Sequence, residues 1–244
     1  MTFKIVLLPP GIGEDWPSKI RASVPGIQVE AFSGPQDAAA AIVDADAAYG
    51  TVPPDLLARA RRLRWIAASR AGLGGEWFYD ELVRSPVVVT NLRGIRNESL
   101  ARHVMAFLLA FGHRLDHYLP QQQARCWQRG PAMLDLARES ALIVGLGGAG
   151  AEIARLCTAF GMQVMGVDPR VTMLTEGFAT LVTPDELDAD LAHADFVILT
   201  TPETPQTLGL FNAARFGAMK RGAYFIDIGC GKCLVIDDLP AGLA

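Results

Sequence analysis

Residues 141–170 read ALIVGLGGAGAEIARLCTAFGMQVMGVDPR, and they contain the strongest structural signal of the chain. A short apolar run ends in Gly145, Gly147 and Gly150, which have the spacing G-x-G-x-x-G. The first glycine permits a tight turn, the second lets a pyrophosphate approach the backbone, and the third lets a helix pack on the strand. The stretch therefore predicts a strand, a turn and a helix that together bind a dinucleotide.

Two further features of the same stretch point to that ligand. We expect a helix directly after the turn, whose first amides, those of Gly148 and Ala149, attract phosphate at the positive end of the helix. The next strand ends at Asp168, which lies 168 − 150 = 18 residues after Gly150. A carboxylate there accepts hydrogen bonds from an adenosine ribose and repels a 2′-phosphate, so NAD is favoured. Arg170 weakens that preference and leaves NADP open.

The rest of the chain alternates between short apolar runs and helical patterns, which predicts parallel sheets covered on both faces. The predicted strands are Lys4–Leu8, Ile27–Phe32, Ala47–Gly50, Trp65–Ser69, Val87–Asn91, Ala141–Gly145, Gln163–Asp168, Phe196–Thr200 and Ala223–Ile228, with a weaker one near Ala179–Val182. Helical stretches such as Gln36–Ala45 and Pro54–Arg61 separate the first strands. The fold class is therefore α/β.

Between the two series of strands, the spacing of apolar residues changes from that of strands to that of a helix. From Asn97 to about Tyr118 the apolar residues have the spacing of one long helix with a buried stripe, and Pro120 is expected to end it. We therefore predict two domains, residues 1–96 and residues 97–244, the second of which begins with the long helix and contains the glycine-rich turn.

The totals exclude several classes of protein. The chain has 244 residues and a formal net charge of −4, and no basic run stands out, so nucleic acid is not an expected partner. No apolar stretch has membrane length, and the N-terminal one is too short for a signal peptide. Four cysteines do not make a disulfide framework in a chain of this size. Together these features predict a cytoplasmic protein.

Three longer segments carry a resemblance to known proteins. They are WIAASRAGLGG (residues 65–75), NESLARHVMAFLLA (97–110) and ADFVILTTPETPQTLGLFNAARFGAMKRGAYFIDIG (194–229). Together with the glycine turn they resemble the D-isomer specific 2-hydroxyacid dehydrogenases, the group that includes glyoxylate/hydroxypyruvate reductases. The resemblance implies a flavodoxin-like substrate domain, a long connecting helix, and a Rossmann domain with a doubly wound parallel sheet that binds NAD.

The same resemblance implies a reaction and the residues that serve it. The reaction is hydride transfer between NAD(P)H and a short 2-oxo acid. The implied residues are Ala71, Gly72 and Leu73, whose amides hold the substrate carboxylate, Thr201, Pro202 and Thr207 near the adenosine, and Ile228, Gly229 and Cys230 facing the nicotinamide. The family's dimers further imply a homodimer that forms through the Rossmann domain and the long helix.

Two departures from the family pattern bear on activity. Cys230, within IDIGCG (226–231), occupies the position of the family's substrate-binding arginine. The chain also ends at Ala244, before the strands that carry the family's catalytic glutamate and histidine, so we expect an incomplete Rossmann domain. No residue is therefore assigned a catalytic role, and we expect weak or absent turnover. A dinucleotide-binding module without catalysis is the alternative function.

Other candidate sites have simpler explanations. Cys230 and Cys233 form a C-x-x-C pair, but neither a thioredoxin-like context nor two further zinc ligands accompany it, so a redox function is the weaker alternative. His113 and His117 are four residues apart, and an exposed helix face explains them without a metal. The LPPGIG stretch (8–13) lacks a third glycine, so we do not expect a second nucleotide loop.

Overall fold

The computed structural model describes residues 2–73, 77, 79–173, 180–229 and 231–242. The chain divides into two compact units, residues 1–93 and residues 94–244, and each is described by itself. None of the helices in the described ranges combines the length and the apolar character needed to cross a membrane.

The first unit contains a five-stranded parallel sheet with helices around it. Its strands are β1 (Lys4–Leu7), β2 (Gln28–Ala31), β3 (Ala47–Tyr49), β4 (Trp65–Ala67) and β5 (Val88–Thr90), and its helices are α1 (Trp16–Ser23), α2 (Pro54–Leu57) and α3 (Asp80–Val83). The strand order is β2-β1-β3-β4-β5, which is the order of a flavodoxin-like sheet, the fold that the family resemblance implied for this domain. Each strand lies inside its predicted range.

The central strand β1 explains why this sheet forms. Val6 packs into a buried cluster with Ile42 and Ile66, while Leu7 packs into a second cluster with Val29. Successive side chains of a strand point to opposite faces, so β1 is buried on both sides. A short, continuous apolar run is the usual sequence of such a strand.

The second unit begins with two helices and continues with a second five-stranded parallel sheet. Its elements are α4 (Asn97–Gly112), α5 (Leu115–Gln123), β6 (Ser140–Val144), α6 (Gly148–Ala159), β7 (Gln163–Val167), β8 (Thr180–Val182), α7 (Leu187–Leu191), β9 (Phe196–Leu199), α8 (Ala213–Ala218), β10 (Tyr224–Asp227) and α9 (Leu239–Gly242). The strand order is β10-β9-β6-β7-β8. This is a doubly wound sheet, as predicted.

The order of strands in the second sheet places two loops side by side. The chain proceeds from β6 to β7 and β8 on one side, then returns to β9 and β10 on the other. The direction therefore reverses between β6 and β9, and the loops after these two strands share the carboxyl edge of the sheet. In open α/β sheets, ligands bind in the crevice at such a reversal point.

Packing of α4 and α6 against one face of this sheet fixes the start of α6. Ile143 of β6, Val104 and Leu108 of α4, and Ile153 and Cys157 of α6 belong to one buried cluster. All five side chains are fully buried. The helix that follows the glycine turn is therefore held by tertiary packing rather than by helix propensity alone.

The prediction of one long helix from Asn97 to about Tyr118 is wrong. The structure ends α4 at Gly112, and Arg114 has a left-handed φ of 56° before α5 begins. Contacts with distant residues hold this break, because the Gly112 carbonyl accepts a hydrogen bond from the Leu134 amide at 2.9 Å. Pro120, the expected end of the helix, lies inside α5.

Two helices predicted in the first unit are shorter than expected. The alanine-rich stretch Gln36–Ala45 forms turns and then a 3₁₀ helix over Ala41–Asp44. Its side chains at Ala38 and Ile42 are fully buried, so close packing overrides the helix propensity of alanine. The helix predicted over Pro54–Arg61 ends at Leu57.

Candidate dinucleotide site

The turn after β6 has the tight geometry that the glycines predicted. Gly145 has φ +104°, and a Cβ at this position would lie 2.8 Å from Thr200 Oγ1 and 3.0 Å from the Thr201 amide nitrogen. A Cβ at Gly150 would overlap the Gly145 carbonyl oxygen. Because backbone and side-chain atoms occupy both spaces, only glycine fits these two positions without displacement.

The turn has open space beside Gly147, whereas protein atoms lie close to Gly145 and Gly150. A Cβ on Gly147 would meet nothing within 4 Å. Gly147 is the N-cap of α6, and no side chain of the described chain caps the helix. The first amides of a helix have no partner within the helix, so those of Gly148 and Ala149 remain available to an anion. The side chain of Asn97, which the sequence reasoning did not select, occupies the space where a Gly148 Cβ would lie.

The Asp168 carboxylate, 4% exposed, ties the end of β7 to the turn. Its Oδ2 accepts hydrogen bonds from the Leu146 amide at 3.0 Å and from Arg170 Nη2 at 2.7 Å. Its Oδ1 accepts from the Arg170 amide at 3.0 Å and from Arg170 Nε at 2.9 Å. A carboxylate has about four acceptor positions, so these bonds use them all.

The Arg170 side chain changes what Asp168 offers to a ligand. The hydrogen bonds from the Arg170 guanidinium, together with the two backbone amides, hold the pKa of Asp168 below its usual value. The carboxylate therefore stays charged. Its ion pair with Arg170 partly neutralises the negative charge on which the preference for NAD was based. A ribose hydroxyl has to share or displace one of the Arg170 bonds.

The loop after β9 lines a cavity with a volume of about 480 Å³, which Gly145, Asp168 and Arg170 also line. Thr207 Oγ1 accepts from the Thr204 amide at 2.8 Å and donates to the Pro202 carbonyl at 2.6 Å, which fixes the loop. Thr201 Oγ1 is buried without a hydrogen-bond partner in the described chain. The cavity brings together six residues selected from the sequence, namely Gly145, Asp168, Arg170, Thr201, Pro202 and Thr207.

Arg215 is a cavity residue that the sequence did not indicate. It lies in α8, and its Nε donates to Asp188 at 2.7 Å while Nη1 donates to the Leu210 carbonyl at 2.5 Å. No local pattern marks this arginine, because its place at the cavity depends on how α8 packs against the helix that contains Asp188.

These features fit a dinucleotide. The open space before Gly147 and the uncapped start of α6 suit a pyrophosphate, which needs close backbone approach and amide donors. The buried Thr201 hydroxyl has no partner among the described residues and is therefore available to a ligand.

Comparison with known proteins agrees with this fit. The family model "D-isomer specific 2-hydroxyacid dehydrogenase, NAD binding domain" matches residues 105–244, which is more than half of the chain. The chain therefore belongs to the D-isomer specific 2-hydroxyacid dehydrogenase family. The resemblance, the α/β fold class and the NAD-binding assignment predicted from the sequence are confirmed.

Curated relatives carry two different names. The chain is 29% identical over 225 residues to a D-3-phosphoglycerate dehydrogenase of Mycobacterium bovis, and this match covers 88% of the chain and 42% of that relative. It is 27% identical over 241 residues to glyoxylate/hydroxypyruvate reductase A of Serratia proteamaculans, covering 94% of the chain and 73% of the relative. The chain thus spans about two fifths of the phosphoglycerate dehydrogenase and about three quarters of the reductase.

Solved structures of the same family superpose on almost the whole chain. A D-isomer specific 2-hydroxyacid dehydrogenase family protein from Aeromonas salmonicida has a TM-score of 0.85 and 29% identity, and the match covers 100% of this chain and 78% of that one. An NADPH-dependent glyoxylate/hydroxypyruvate reductase from Sinorhizobium meliloti, in complex with NADP and sulfate, has a TM-score of 0.85 and 26% identity, covering 99% and 77%.

Ile228 and Gly229, two further predicted residues of the second unit, are not among the residues that line the cavity. Gly229 lies beside it, because a Cβ there would be 3.0 Å from the Thr201 carbonyl oxygen, while Ile228 packs against the buried cluster of α4 and α6. In the first unit, Ala71, Gly72 and Leu73 follow β4 at the carboxyl edge of their sheet, and the Ala71 carbonyl accepts from Asn91 Nδ2 at 2.9 Å.

The cysteine and histidine candidates have structural surroundings of their own. Cys230 lies outside the described residues, and Cys233 is buried with its Sγ 3.6 Å from the Pro202 carbonyl oxygen. His117 Nε2 is hydrogen-bonded to Gln121 at 2.7 Å, and His113 follows the last residue of α4. Across the described ranges, no three His, Cys, Asp or Glu side chains form a group suited to a metal ion.

Proposed function

We propose that this chain is an NAD(P)-dependent oxidoreductase that interconverts a short 2-oxo acid and the corresponding 2-hydroxy acid. The observation that carries the proposal is the glycine turn, which is closed by backbone at Gly145 and Gly150 and open in front of Gly147. Membership of the 2-hydroxyacid dehydrogenase family supports the substrate class. When bound, a nicotinamide cofactor supplies or accepts the hydride.

The protein's own residues then bind and orient the reactants. The amides of Gly148 and Ala149 hold the pyrophosphate, and the Thr201 hydroxyl gains a hydrogen-bond partner. Asp168 accepts hydrogen bonds from the adenosine ribose, and Arg170 lies beside it, where a 2′-phosphate would be. The amides of Ala71, Gly72 and Leu73, which follow β4, hold the substrate carboxylate. Backbone donors of this kind are preorganised and need no rearrangement when the ligand arrives.

The test of the dinucleotide site is calorimetric titration of the chain and its Gly147→Val variant with NADH. The valine side chain would occupy the open space in front of the turn, so we expect NADH binding to be lost. Because that space contains no protein atom, the variant should still fold, and circular dichroism and urea unfolding check this point.

The matched control is Gly217→Val, since a Cβ on Gly217 in α8 also meets nothing within 4 Å. It should bind NADH as the parent does. If Gly147→Val bound NADH with the affinity of the parent, the pyrophosphate would not lie against this turn and the assignment would be wrong.

A dinucleotide-binding module without catalysis is the second candidate function, and residue 230 is the observation that favours it. At this position the family resemblance places a substrate-binding arginine, and the chain has cysteine. A thiol offers one weak donor in place of two charged ones. NADH oxidation in the presence of glyoxylate or hydroxypyruvate separates the two functions, because the module binds NADH without oxidising it.

Replacement of Cys230 by arginine sharpens that comparison. If the chain is a dehydrogenase, Cys230→Arg should lower KM for glyoxylate by about tenfold or more, because the guanidinium restores charged hydrogen bonds to the carboxylate. Cys230→Ser serves as the control and should leave KM near that of the parent. Unchanged kinetics in Cys230→Arg would remove residue 230 from the substrate site.

We further propose that the chain prefers NADH over NADPH by a small margin. Asp168 disfavours a 2′-phosphate, but its ion pair with Arg170, at 2.7 Å, offsets much of that repulsion. Solved relatives of this fold are found with NADP as well as with NAD. A modest ratio of affinities is therefore expected rather than exclusive use of one cofactor.

A homodimer through the second unit is also proposed. Large apolar side chains are exposed on α4, on α5 and on the segment after α5, namely Phe107, Leu115, Leu119, Trp127 and Met133. These residues lie on consecutive segments, and exposed apolar side chains that form one surface on a folded unit commonly mark an interface. Light scattering at micromolar concentration should give the mass of a dimer, and Leu119→Glu should shift it toward a monomer. A monomeric parent would contradict the proposal.

A cytoplasmic location is proposed on the state of the cysteines. Cys126, Cys157 and Cys233 are all free thiols. Free thiols persist in reducing compartments, whereas secreted proteins usually pair them. Fractionation of cells that express the chain natively tests this location.

A further inference from the structure

A cavity in the first unit collects positive charge at the amino-terminal edge of the sheet. Its volume is about 490 Å³, and its lining includes Arg61, Arg62 and Arg64 with Asp46 as the one acidic residue. Three positive charges and one negative charge give a local sum of 3 − 1 = +2. The chain as a whole carries −4. This concave surface is therefore opposite in sign to the rest of the protein.

Buried Asp46 fixes two of the arginines. Its side chain is 5% exposed, and its Oδ1 accepts from Arg62 Nη2 at 3.0 Å and from Arg64 Nη2 at 3.3 Å. Its Oδ2 accepts from the Lys4 amide at 3.0 Å. The Lys4 amide and then the Arg62 guanidinium hold the pKa of Asp46 below its usual value, against the effect of burial. The carboxylate therefore remains charged and keeps two guanidinium groups beside one oxygen.

Most donors of the three arginines remain available. Arg62 and Arg64 each contribute one nitrogen to Asp46, whereas a guanidinium carries five N–H groups. The Arg64 guanidinium lies over the Phe3 ring, 5.9 Å from its centroid, which limits its freedom. Arg61 makes no ion pair within the part of the chain that the structure describes. One buried acid thus orders a cluster whose charge it does not neutralise.

We propose that this cavity binds a phosphate group, either inorganic phosphate or the phosphate of a small metabolite. Planar guanidinium forks match the oxygen geometry of phosphate, and the net charge of +2 on the lining residues matches a dianion. The cluster is confined to one concave cavity in an acidic chain, which favours a small molecule over nucleic acid. The site lies before β1, β3 and β4, whereas the loop with Ala71–Leu73 follows β4 at the opposite edge of the same sheet.

Arginine footprinting of the full chain locates the anion directly. Phenylglyoxal modifies exposed arginines, and peptide mass spectrometry reports the rate at each one. Millimolar inorganic phosphate should slow modification of Arg61, Arg62 and Arg64 severalfold relative to sodium chloride at equal ionic strength, because bound phosphate covers their donors. Arg59, which is exposed and outside the cavity, should react at the same rate in both salts. If phosphate and sodium chloride gave the same modification rate at each of the four arginines, the proposal would be overturned.

A pair of variants tests the contribution of Arg61 without disturbing Asp46. Arg61→Gln should weaken phosphate binding about tenfold in calorimetric titration, the value of one charge-assisted contact. Arg59→Gln removes the same charge two residues away and should change the affinity less than twofold by the long-range field alone. Equal weakening in both variants would show that phosphate responds to overall charge and not to this cavity, and the proposal would fail.

Discussion

The two units differ in the connection that follows the first strand of each sheet. In the second unit three residues, Gly145–Gly147, lead from β6 into α6, a helix of 12 residues with four buried ones. In the first unit eight residues, Leu8–Asp15, lead from β1 into α1, a helix of eight residues with none buried. Both connections contain glycines and follow a strand at the reversal point of a parallel sheet.

The difference shows what makes a glycine-rich loop into a phosphate site. Glycine content alone does not do so, because the connection after β1 also contains Gly11 and Gly13. A short turn holds the start of α6 at the end of β6, and burial of α6 keeps it there. The long connection after β1 leaves the start of α1 without either constraint. Three pairs of substitutions test this comparison.

The largest effect is expected from Gly150→Ala. The new Cβ would overlap the Gly145 carbonyl oxygen, and because this oxygen belongs to the backbone, no side-chain rotation relieves the overlap. We expect a loss of about 3 kcal/mol in the free energy of unfolding, together with loss of NADH binding. Urea unfolding and calorimetric titration measure the two effects.

The control for that substitution is Gly13→Ala in the connection after β1. Its Cβ would lie 2.9 Å from Trp16 Cδ1, which belongs to a side chain that is able to move. We expect a cost below about 1 kcal/mol and unchanged NADH binding. Equal stability losses in Gly13→Ala and Gly150→Ala would mean that the turn after β6 is no more constrained than its counterpart.

A smaller effect is expected from Asp168→Asn, which weakens the link between β7 and the turn. The carboxylate charge that accepts from the Leu146 amide, the Arg170 amide and the Arg170 guanidinium is lost, so the free energy of unfolding at pH 7 should fall by about 2 kcal/mol. The pKa of Asp168 is lowered in the folded state. The contribution of its charge to the free energy of unfolding is therefore complete above the ordinary aspartate pKa of about 3.9. The difference between parent and variant should shrink as the pH falls through the lowered pKa of the folded state.

Asp15→Asn is the matched change beside α1, since Asp15 forms an exposed i,i+4 ion pair with Lys19. Exposed pairs contribute little, so this variant should unfold close to the parent at pH 7. A pH-independent difference for Asp168→Asn, measured by urea unfolding, would show that the carboxylate charge is not what holds the turn.

The smallest effect is expected from Arg170→Ala, which should change cofactor choice more than stability. Without the guanidinium, Asp168 faces a 2′-phosphate alone, so NADPH binding should weaken about tenfold while NADH binding changes little. Titration with both cofactors measures the ratio. Arg155→Ala, at the exposed Arg155–Glu152 pair on α6, is the control and should leave the ratio unchanged. An unchanged ratio in Arg170→Ala would remove this arginine from the site.

Local patterns in the sequence predicted the parts of this structure that depend on neighbours along the chain. The strand, turn and helix around Gly145–Gly150 follow from residues within one short segment, and so do the other strands. The break between α4 and α5 was missed, because it depends on Leu134 and on Tyr224, whose hydroxyl bonds Arg114 across 110 residues of sequence. The place of Arg215 at the cavity was missed for the same reason. The sequence placed Asp168 at the end of a strand beside the turn, but its four hydrogen bonds within the protein became visible only with side-chain positions.

Tyr224 affects how the second unit unfolds locally, because it joins β10 to α4. Its ring stacks between Phe111 of α4 and Phe196 of β9, with centroid distances of 4.6 and 5.1 Å, while its hydroxyl accepts from Arg114 Nη1 at 2.7 Å. β10 lies at one end of the described sheet, where strands usually open first in hydrogen exchange. Because one side chain joins β10 to the helix layer, we expect the amides of β10 and α4 to exchange as a single cooperative unit.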